Sequence, residues 1–328
     1  MEIAESLLET VGETPLVAFR RMFSHCRGRV AAKVEERNPS GSVKDRIAAY
    51  MIRRAEKDGR LRPGGTIVES TSGNTGAALA VAGRILGYRV ILVVTTKISQ
   101  EKLDYLKALG AEVVVCPSEI PVDDPRSYHS TVRRIAAETP GACHLNQNEN
   151  EANRAAHYNS TGPEIWRQTD GGITHFVAGI GTGGTLSGTG AFLKEKNPRI
   201  RVIGVEPTDS IFRARLLRQA AERPAEAASK VEGIGGSEIV PENVDFSVID
   251  EIIQVTDEEC FTTARRMARE EGMMAGGSAG GAVAAALKIA PGLGDDDLMV
   301  VILPDGGDRY LSKFYNDDWM RENGFPVD

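Results

Sequence analysis

Cysteine is scarce and scattered: Cys26, Cys116, Cys143 and Cys260 are the four in 328 residues, and no two form a C-x-x-C pair. That pattern excludes a disulfide framework or a zinc knuckle and points to reduced thiols in a cytosol. The five histidines include no H-E-x-x-H and no close pair, so no metal site is expected. No apolar run is long enough to span a bilayer, because the most apolar stretch, Ala77 to Val94, is broken by Arg84 and Arg89. Positive charge is in deficit, 39 Lys+Arg against 46 Asp+Glu. The net −7 argues against nucleic acid or an anionic membrane as the main partner. The amino end, Met1-Glu2-Ile3-Ala4-Glu5, is acidic where a secretory leader would be basic, so a cytoplasmic location is expected.

What the chain does have is an ordinary globular balance, 41% hydrophobic and 26% charged, with an excess of glycine at 35 residues. At ~150 residues per domain its length predicts two domains. Short β-branched runs alternate with amphipathic stretches. Thr66 to Glu69, Arg89 to Val94, Glu112 to Val115, His175 to Ala178, Arg201 to Val205 and Leu298 to Leu303 read as strands. Ala77 to Leu86, Ser99 to Leu109 and Asp257 to Glu271 read as helices, and Arg213 to Lys230 as an exposed helix or excursion. Such alternation predicts an α/β protein built of two blocks, roughly 40 to 150 and 175 to 305, each an open, mostly parallel twisted sheet flanked by helices. In such sheets ligands bind outside the carboxyl ends of the strands.

Four segments there carry chemistry. Gly179-Ile180-Gly181-Thr182-Gly183-Gly184-Thr185 follows a strand and opens a helix. It satisfies G-x-G-x-x-G, and Glu206 lies at the spacing of a ribose-binding acid, so a dinucleotide site is one reading. A cup of backbone amides for one phosphate monoester, helped by the Thr182 and Thr185 hydroxyls, is the other; a tight packing turn is the bland one. Gly276-Gly277-Ser278-Ala279-Gly280 matches G-x-S-x-G, but a helix precedes it and no histidine follows it, so a hydrolase is excluded. Ser278 could instead cap the next helix. Ser70-Thr71-Ser72-Gly73-Asn74-Thr75-Gly76 strings four hydroxyls and an amide along a strand-to-helix turn, more donors than a helix cap needs and suited to a carboxylate. Asn38-Pro39-Ser40-Gly41-Ser42-Val43-Lys44-Asp45-Arg46 puts Lys44 in the first turn of a helix. The dipole there would lower its pKa and favour a nucleophilic amine, unless Asp45 and Arg46 leave it merely solvated.

Taken together the four segments resemble the fold type II pyridoxal-phosphate enzymes, in the cysteine synthase and cystathionine β-synthase branch. The likeness runs from Ser6-Leu7-Leu8-Glu9-Thr10-Val11-Gly12-Glu13-Thr14-Pro15-Leu16 to Trp319. It is nearest to the catalytic core of the cystathionine synthases, through Gly110 to Val114, Asp124-Pro125-Arg126-Ser127-Tyr128, Val231-Glu232-Gly233-Ile234-Gly235 and Ile302 to Asp305 with Asn316 to Trp319. The resemblance implies a smaller domain over 40–152 and a larger one joining 1–39 to 153–328. It implies pyridoxal 5'-phosphate on Lys44, with Asn74 at the cofactor's 3′-hydroxyl. Gly181, Thr182, Gly183, Gly184 and Thr185 then hold its phosphate, and Ser278 faces the pyridine nitrogen. Thr71, Ser72, Asn74 and Thr75 receive the substrate carboxylate with help from Gln147, and Gly233 belongs to the substrate side.

The implied reaction is β-replacement on serine or an O-activated serine through an aminoacrylate, with homocysteine as acceptor and cystathionine as product. A neutral serine at the pyridine nitrogen makes a modest electron sink, which suits expulsion of a β-substituent. A homodimer, no haem and no metal go with the resemblance. Asn148 stands where cystathionine synthases usually carry an aromatic residue, and Gly236 follows the Gly233–Gly235 segment; both departures bear on the acceptor. Arg126 is a candidate anchor for an acceptor carboxylate. Sulfide, as in cysteine synthases, and an amine, suggested by Gly307-Asp308-Arg309-Tyr310-Leu311, are alternative acceptors. A nicotinamide-dependent oxidoreductase keeps the G-x-G-x-x-G match but leaves Asn38 to Arg46 and Ser70 to Gly76 without a role.

Overall fold

The strands read from the sequence form with a residue or so added, because β-branched side chains pack well on a pleated surface. The computed structural model of the chain describes residues 3–71, 73–96, 98–118, 120–121, 124–220, 229–236 and 239–327. Along it run β1 (Leu16–Ala18), β2 (Arg29–Val34), α1 (Lys44–Lys57), β3 (Thr66–Ser70), α2 (Asn74–Leu86), β4 (Arg89–Thr95), α3 (Gln100–Ala108), β5 (Glu112–Cys116), α4 (Tyr128–Glu138) and β6 (Ala142–His144). There follow α5 (Glu151–Asn159), α6 (Thr161–Gln168), β7 (His175–Gly179), α7 (Gly184–Lys196), β8 (Arg201–Pro207), α8 (Phe212–Leu216), β9 (Glu251–Val255), α9 (Asp257–Arg266), α10 (Gly277–Ile289), β10 (Leu298–Leu303) and α11 (Asp317–Glu322).

Two compact units share the chain, Met1–Gly12 with Asn38–Asn153 and Glu13–Arg37 with Arg154–Asp328. The first twelve residues therefore depart from the expected grouping of 1–39 with the larger domain. The Gly12 amide donates to Asn38 Oδ1 at 2.8 Å, which ties this segment to the first unit.

The first unit holds a four-stranded sheet in the order β5-β4-β3-β6, with every pair parallel. Val90 to Val94 are all buried, so β4 reads as a continuous apolar run rather than an alternating one. Val68, Ile91, Val93, Cys116 and Val132 form a core on one face. From β3 the chain winds outward through β4 and β5, then returns to place β6 on the other side. The switch point thus lies between β3 and β6, where a crevice opens at the carboxyl ends.

The second unit holds six strands in the order β1-β2-β10-β7-β8-β9, parallel except for β1 against β2. Side chains alternate between two cores. Phe176, Ala178 and Val202 pack on one face with Leu186 and Leu193 of α7, while Val177, Ile203 and Val205 pack on the other with the alanines of α10. Gly280 lets α9 and α10 approach closely, since a Cβ there would lie 2.0 Å from the Cys260 carbonyl oxygen. Here the switch point lies between β7 and β10.

Two helices differ from expectation. The one read over Asp257 to Glu271 is α-helical only to Arg266; Met267–Glu271 widens into a π turn that closes on Gly272 at φ +71°. At its end the Glu271 carboxylate accepts the Arg20, Arg21 and Met22 amides. Of the Arg213 to Lys230 stretch, α8 is a single short helix to Leu216, and 221–228 lie outside the described residues.

Candidate active site

In the first unit two segments leave the carboxyl ends of β3 and β6, on the two sides of the switch point. After β3, Glu69 is buried beneath the loop, with its Oε1 accepting the Ser70 amide at 3.1 Å and lying 3.5 Å from His144 Nε2. The Thr71 amide donates back to the Val93 carbonyl, and Thr71 Oγ1 accepts the Gly73 amide at 3.3 Å. Helix α2 then starts at Asn74 with Gly73 as its cap residue and no side-chain cap. The first amides of an uncapped helix have no partner within it and favour an anion. Thr75, buried in the first turn, donates to Gln147 Oε1 at 2.7 Å. That bond joins the β3 loop to the β6 loop, and Asn153 Nδ2 steadies the latter by donating to the Gln147 carbonyl at 2.8 Å. Ser72, named with them, lies outside the described residues.

Lys44 is the first residue of α1, half-buried, after a turn that Asp45 organises. The Asp45 carboxylate accepts the Ser40 amide at 2.9 Å, the Ser40 hydroxyl at 2.7 Å and the Ser42 amide at 3.4 Å. Asp45 thus shapes the turn, and Gly41 supplies its left-handed residue at φ +82°. Val43, the residue before α1, gives no side-chain cap, and the Lys44 amide donates to Ser42 Oγ at 3.2 Å.

In the second unit the glycine loop leaves β7 beside β10. A side chain is excluded from it by close neighbours, backbone among them. A Cβ on Gly181 would lie 2.3 Å from the Gly233 carbonyl oxygen, and one on Gly183, at φ +86°, would lie 2.7 Å from the Val244 nitrogen. Gly233, read as a substrate-side residue, therefore lies against this loop, and the Gly235 amide donates to the Ile180 carbonyl at 2.7 Å to hold the two together. Gly183 caps α7 without any side-chain bond. The amides of Gly184 and Thr185 open that helix, and the Thr182 and Thr185 hydroxyls flank it. Backbone amides at a helix start suit a phosphate.

Sequence reasoning missed His157. Buried in α5, it joins Thr161 Oγ1 at 2.9 Å through Nδ1 and Thr185 Oγ1 at 3.1 Å through Nε2. A histidine four residues before a threonine was the available signal, and it looks like any helical pair. Ser278 is the second residue of α10 and buried; the cap residue is Gly276, so Ser278 is not the helix cap that local sequence allowed. Glu206, the acid of the dinucleotide reading, is fully buried and accepts the Phe212 amide at 2.8 Å, the Arg213 amide at 3.0 Å and Gln254 Nε2 at 3.1 Å. It caps α8 from inside and is committed there. Arg126 is held by its neighbour Asp124 through Nε at 3.0 Å and Nη2 at 2.8 Å on an exposed turn, which answers its proposed anchoring role with a local ion pair.

Burial pushes the Cys143 and Cys260 thiols up, so neither is a thiolate near neutral pH. No cluster of three or more His, Cys, Asp or Glu among the described residues could hold a metal ion, and no described helix is long and apolar enough to cross a membrane. The chemistry on offer is an amine at one helix start, side-chain donors for a carboxylate at a second, and backbone donors for a phosphate at a third.

The model of the pyridoxal-phosphate dependent enzymes matches residues 7–305. Cystathionine beta-synthase of Apis mellifera is 42% identical over 327 residues, 99% of this chain and 64% of that protein. The Oryctolagus cuniculus protein of that name is 43% identical over 326 residues, 99% of this chain and 58% of its own length. Cysteine synthase A of Escherichia coli is 44% identical over 310 residues, 92% of both chains. The chain spans about three fifths of the length of the cystathionine beta-synthases it matches.

Proposed function

The chain belongs to the pyridoxal-phosphate dependent enzymes, and from that premise we propose that it catalyses β-replacement on L-serine or an O-activated serine, with homocysteine as acceptor and L-cystathionine as product. The residues present fit the cofactor. The backbone-walled, uncapped start of α7 suits a phosphate dianion, and a Cβ would fill the cradle. Lys44 supplies the amine for covalent attachment. The single observation that carries the reading is the glycine cradle at the start of α7, where close neighbours leave no room for a side chain on Gly181 or Gly183.

When bound, pyridoxal phosphate supplies the electron sink for charge developing at the substrate α-carbon. The protein's own groups do the rest. The Gly181–Thr185 amides and the Thr182 and Thr185 hydroxyls hold the phosphate, and His157 orients the Thr185 hydroxyl. Ser278 would hold the ring nitrogen with a neutral hydroxyl, and Asn74 the 3′-oxygen. Thr71, Ser72, Asn74 and Thr75 bind the substrate carboxylate with Gln147, whose place is set by the Thr75 bond. The Lys44 amine is the base that would take the substrate α-proton.

Homocysteine is favoured as acceptor because the likeness to the cystathionine synthases covers 99% of this chain, against 92% for cysteine synthase A. Exposed Asn148 leaves more room than an aromatic residue would. Homodimeric assembly and a cytoplasmic location belong to the same reading. Homocysteine, sulfide and an amine-bearing amino acid competing for one donor, with products identified by mass spectrometry, test it. Cystathionine is the expected main product. Cysteine would assign the chain to sulfide-accepting chemistry, and a carbon–nitrogen product to amine-accepting chemistry. No product from any donor would overturn β-replacement.

A further inference from the structure

Ser278 sits in the first turn of α10, and what holds that turn lies outside the helix. Before it, Ala275 bridges antiparallel to Gly306. The Gly307 amide donates to the Met274 carbonyl at 3.0 Å and the Gly276 amide to the Asp305 carbonyl at 3.1 Å. Backbone groups of successive residues in an extended segment point to opposite sides. The N–H and C=O of Ala275 therefore face away from 305–307, toward where another strand would normally pair them. A single atom takes both: Tyr315 Oη accepts the Ala275 amide at 3.2 Å and donates to the Ala275 carbonyl at 2.8 Å.

A hydroxyl can stand in for a strand in this way because it donates and accepts from one atom. Ala275 is 3% exposed, so water does not serve it instead. The following glycines are boxed in as well. A Cβ on Gly276 would lie 2.0 Å from Asp305 Oδ1, and one on Gly277 would lie 3.1 Å from the Phe261 ring. Burial pushes the Tyr315 phenol up to about 12, so it stays a neutral donor and acceptor at working pH.

We propose that Tyr315 is a positioning residue for Ser278: its hydroxyl pins Ala275, and through the Gly276–Gly277 turn it fixes the serine that faces the cofactor's ring nitrogen. This rests on the role given to Ser278 above. The test compares wild type, Tyr315→Phe, Ser278→Ala and the double variant as holoenzymes. Two readouts serve: the pH dependence of the bound cofactor's visible absorption band, and its dissociation constant measured by adding pyridoxal phosphate to apoprotein.

Ser278→Ala is expected to shift the band. Tyr315→Phe should shift it in the same direction and weaken cofactor binding by about tenfold, the equivalent of one buried hydrogen bond. The double variant should match Ser278→Ala, because coupled residues are not additive. A Tyr315→Phe protein with the wild-type band and affinity, even at a lower melting temperature, overturns the inference alone, as does an additive double variant. An unmoved band in Ser278→Ala overturns the reading of Ser278 and the inference with it. Should Tyr315→Phe fail to fold, amide exchange in the wild-type holoenzyme decides. Ala275 should be among its slowest amides, and exchange at the rate of a surface loop refutes the pin.

Discussion

The two switch-point loops present their donors by opposite means. Ser70–Gly76 in the first unit offers side chains, whose positions depend on bonds to one another, as Thr75 depends on Gln147. Gly179–Thr185 in the second unit offers mainly backbone, and it is walled by the Gly233 carbonyl and by the backbone and side chain of Val244. Side chains can yield and reorder as a substrate carboxylate comes and goes. A backbone cradle cannot, and suits a phosphate that stays through every turnover. The difference shows up in composition: the first loop is rich in hydroxyls, the second in glycines, of which Gly181 and Gly183 lie too close to backbone for a side chain.

The largest effect should come from the residue that neither loop supplies. Lys44→Ala should lower β-replacement by at least ~10²–10⁴-fold, the usual weight of a positioned base. Borohydride reduction of the wild type followed by peptide mapping should find the phosphopyridoxyl group on Lys44, and label on another lysine would undo the assignment. Next, Thr182→Val with Thr185→Val removes two charge-assisted bonds of about 1.5–3 kcal/mol each, or roughly two to four decades of cofactor affinity. Gly181→Ala sharpens the contrast, since its Cβ would press on backbone at 2.3 Å. It should release the cofactor at least as fully as either threonine change alone, and normal retention would mean the cradle is not backbone-walled. A smaller effect is expected in the side-chain loop. Thr75→Val breaks the Gln147 bond, worth about 0.5–1.5 kcal/mol net, so KM for the amino-acid donor should rise roughly 2- to 12-fold with cofactor affinity unchanged. Smallest is Arg126→Ala. An exposed ion pair is worth about 0–1 kcal/mol, and KM for the acceptor should stay within about twofold; a larger rise would restore Arg126 as an anchor.

The same contrast explains what could be read from the sequence. Strands such as His175–Gly179 and the glycine loop after it were legible because both are local: periodicity marks the strand and glycine marks the turn. The lysine turn was legible too, although the work of Asp45 in shaping it was not, since Ser40 and Ser42 gain meaning only once folded. His157 and Tyr315 were invisible for a different reason. Each acts on a loop at least 28 residues away, by a hydrogen bond that leaves no spacing in the chain. Glu206 misled because a ribose-binding acid and a buried helix cap occupy the same place after a strand. Gly12 and Asn38 show the limit for boundaries, where contacts distant in sequence group the first twelve residues with the first unit.

The order of strands in the second unit has a consequence for synthesis. β2 pairs along its length with β10, Val30 opposite Met299 and Val34 opposite Leu303. A strand made among the first residues thus waits for one made nearly last, while most of the first unit, Asn38–Asn153, emerges in between. Contacts this distant in sequence form slowly, because loop closure precedes any gain from pairing. The first unit, whose sheet uses only strands between Thr66 and His144, can complete itself on the ribosome without them. β7, which carries the glycine cradle, lacks a neighbour on one side until β10 arrives. A stalled or shortened nascent chain would therefore hold a finished lysine-bearing unit beside an open-edged sheet, and that edge is where chaperones or misassembly would act first.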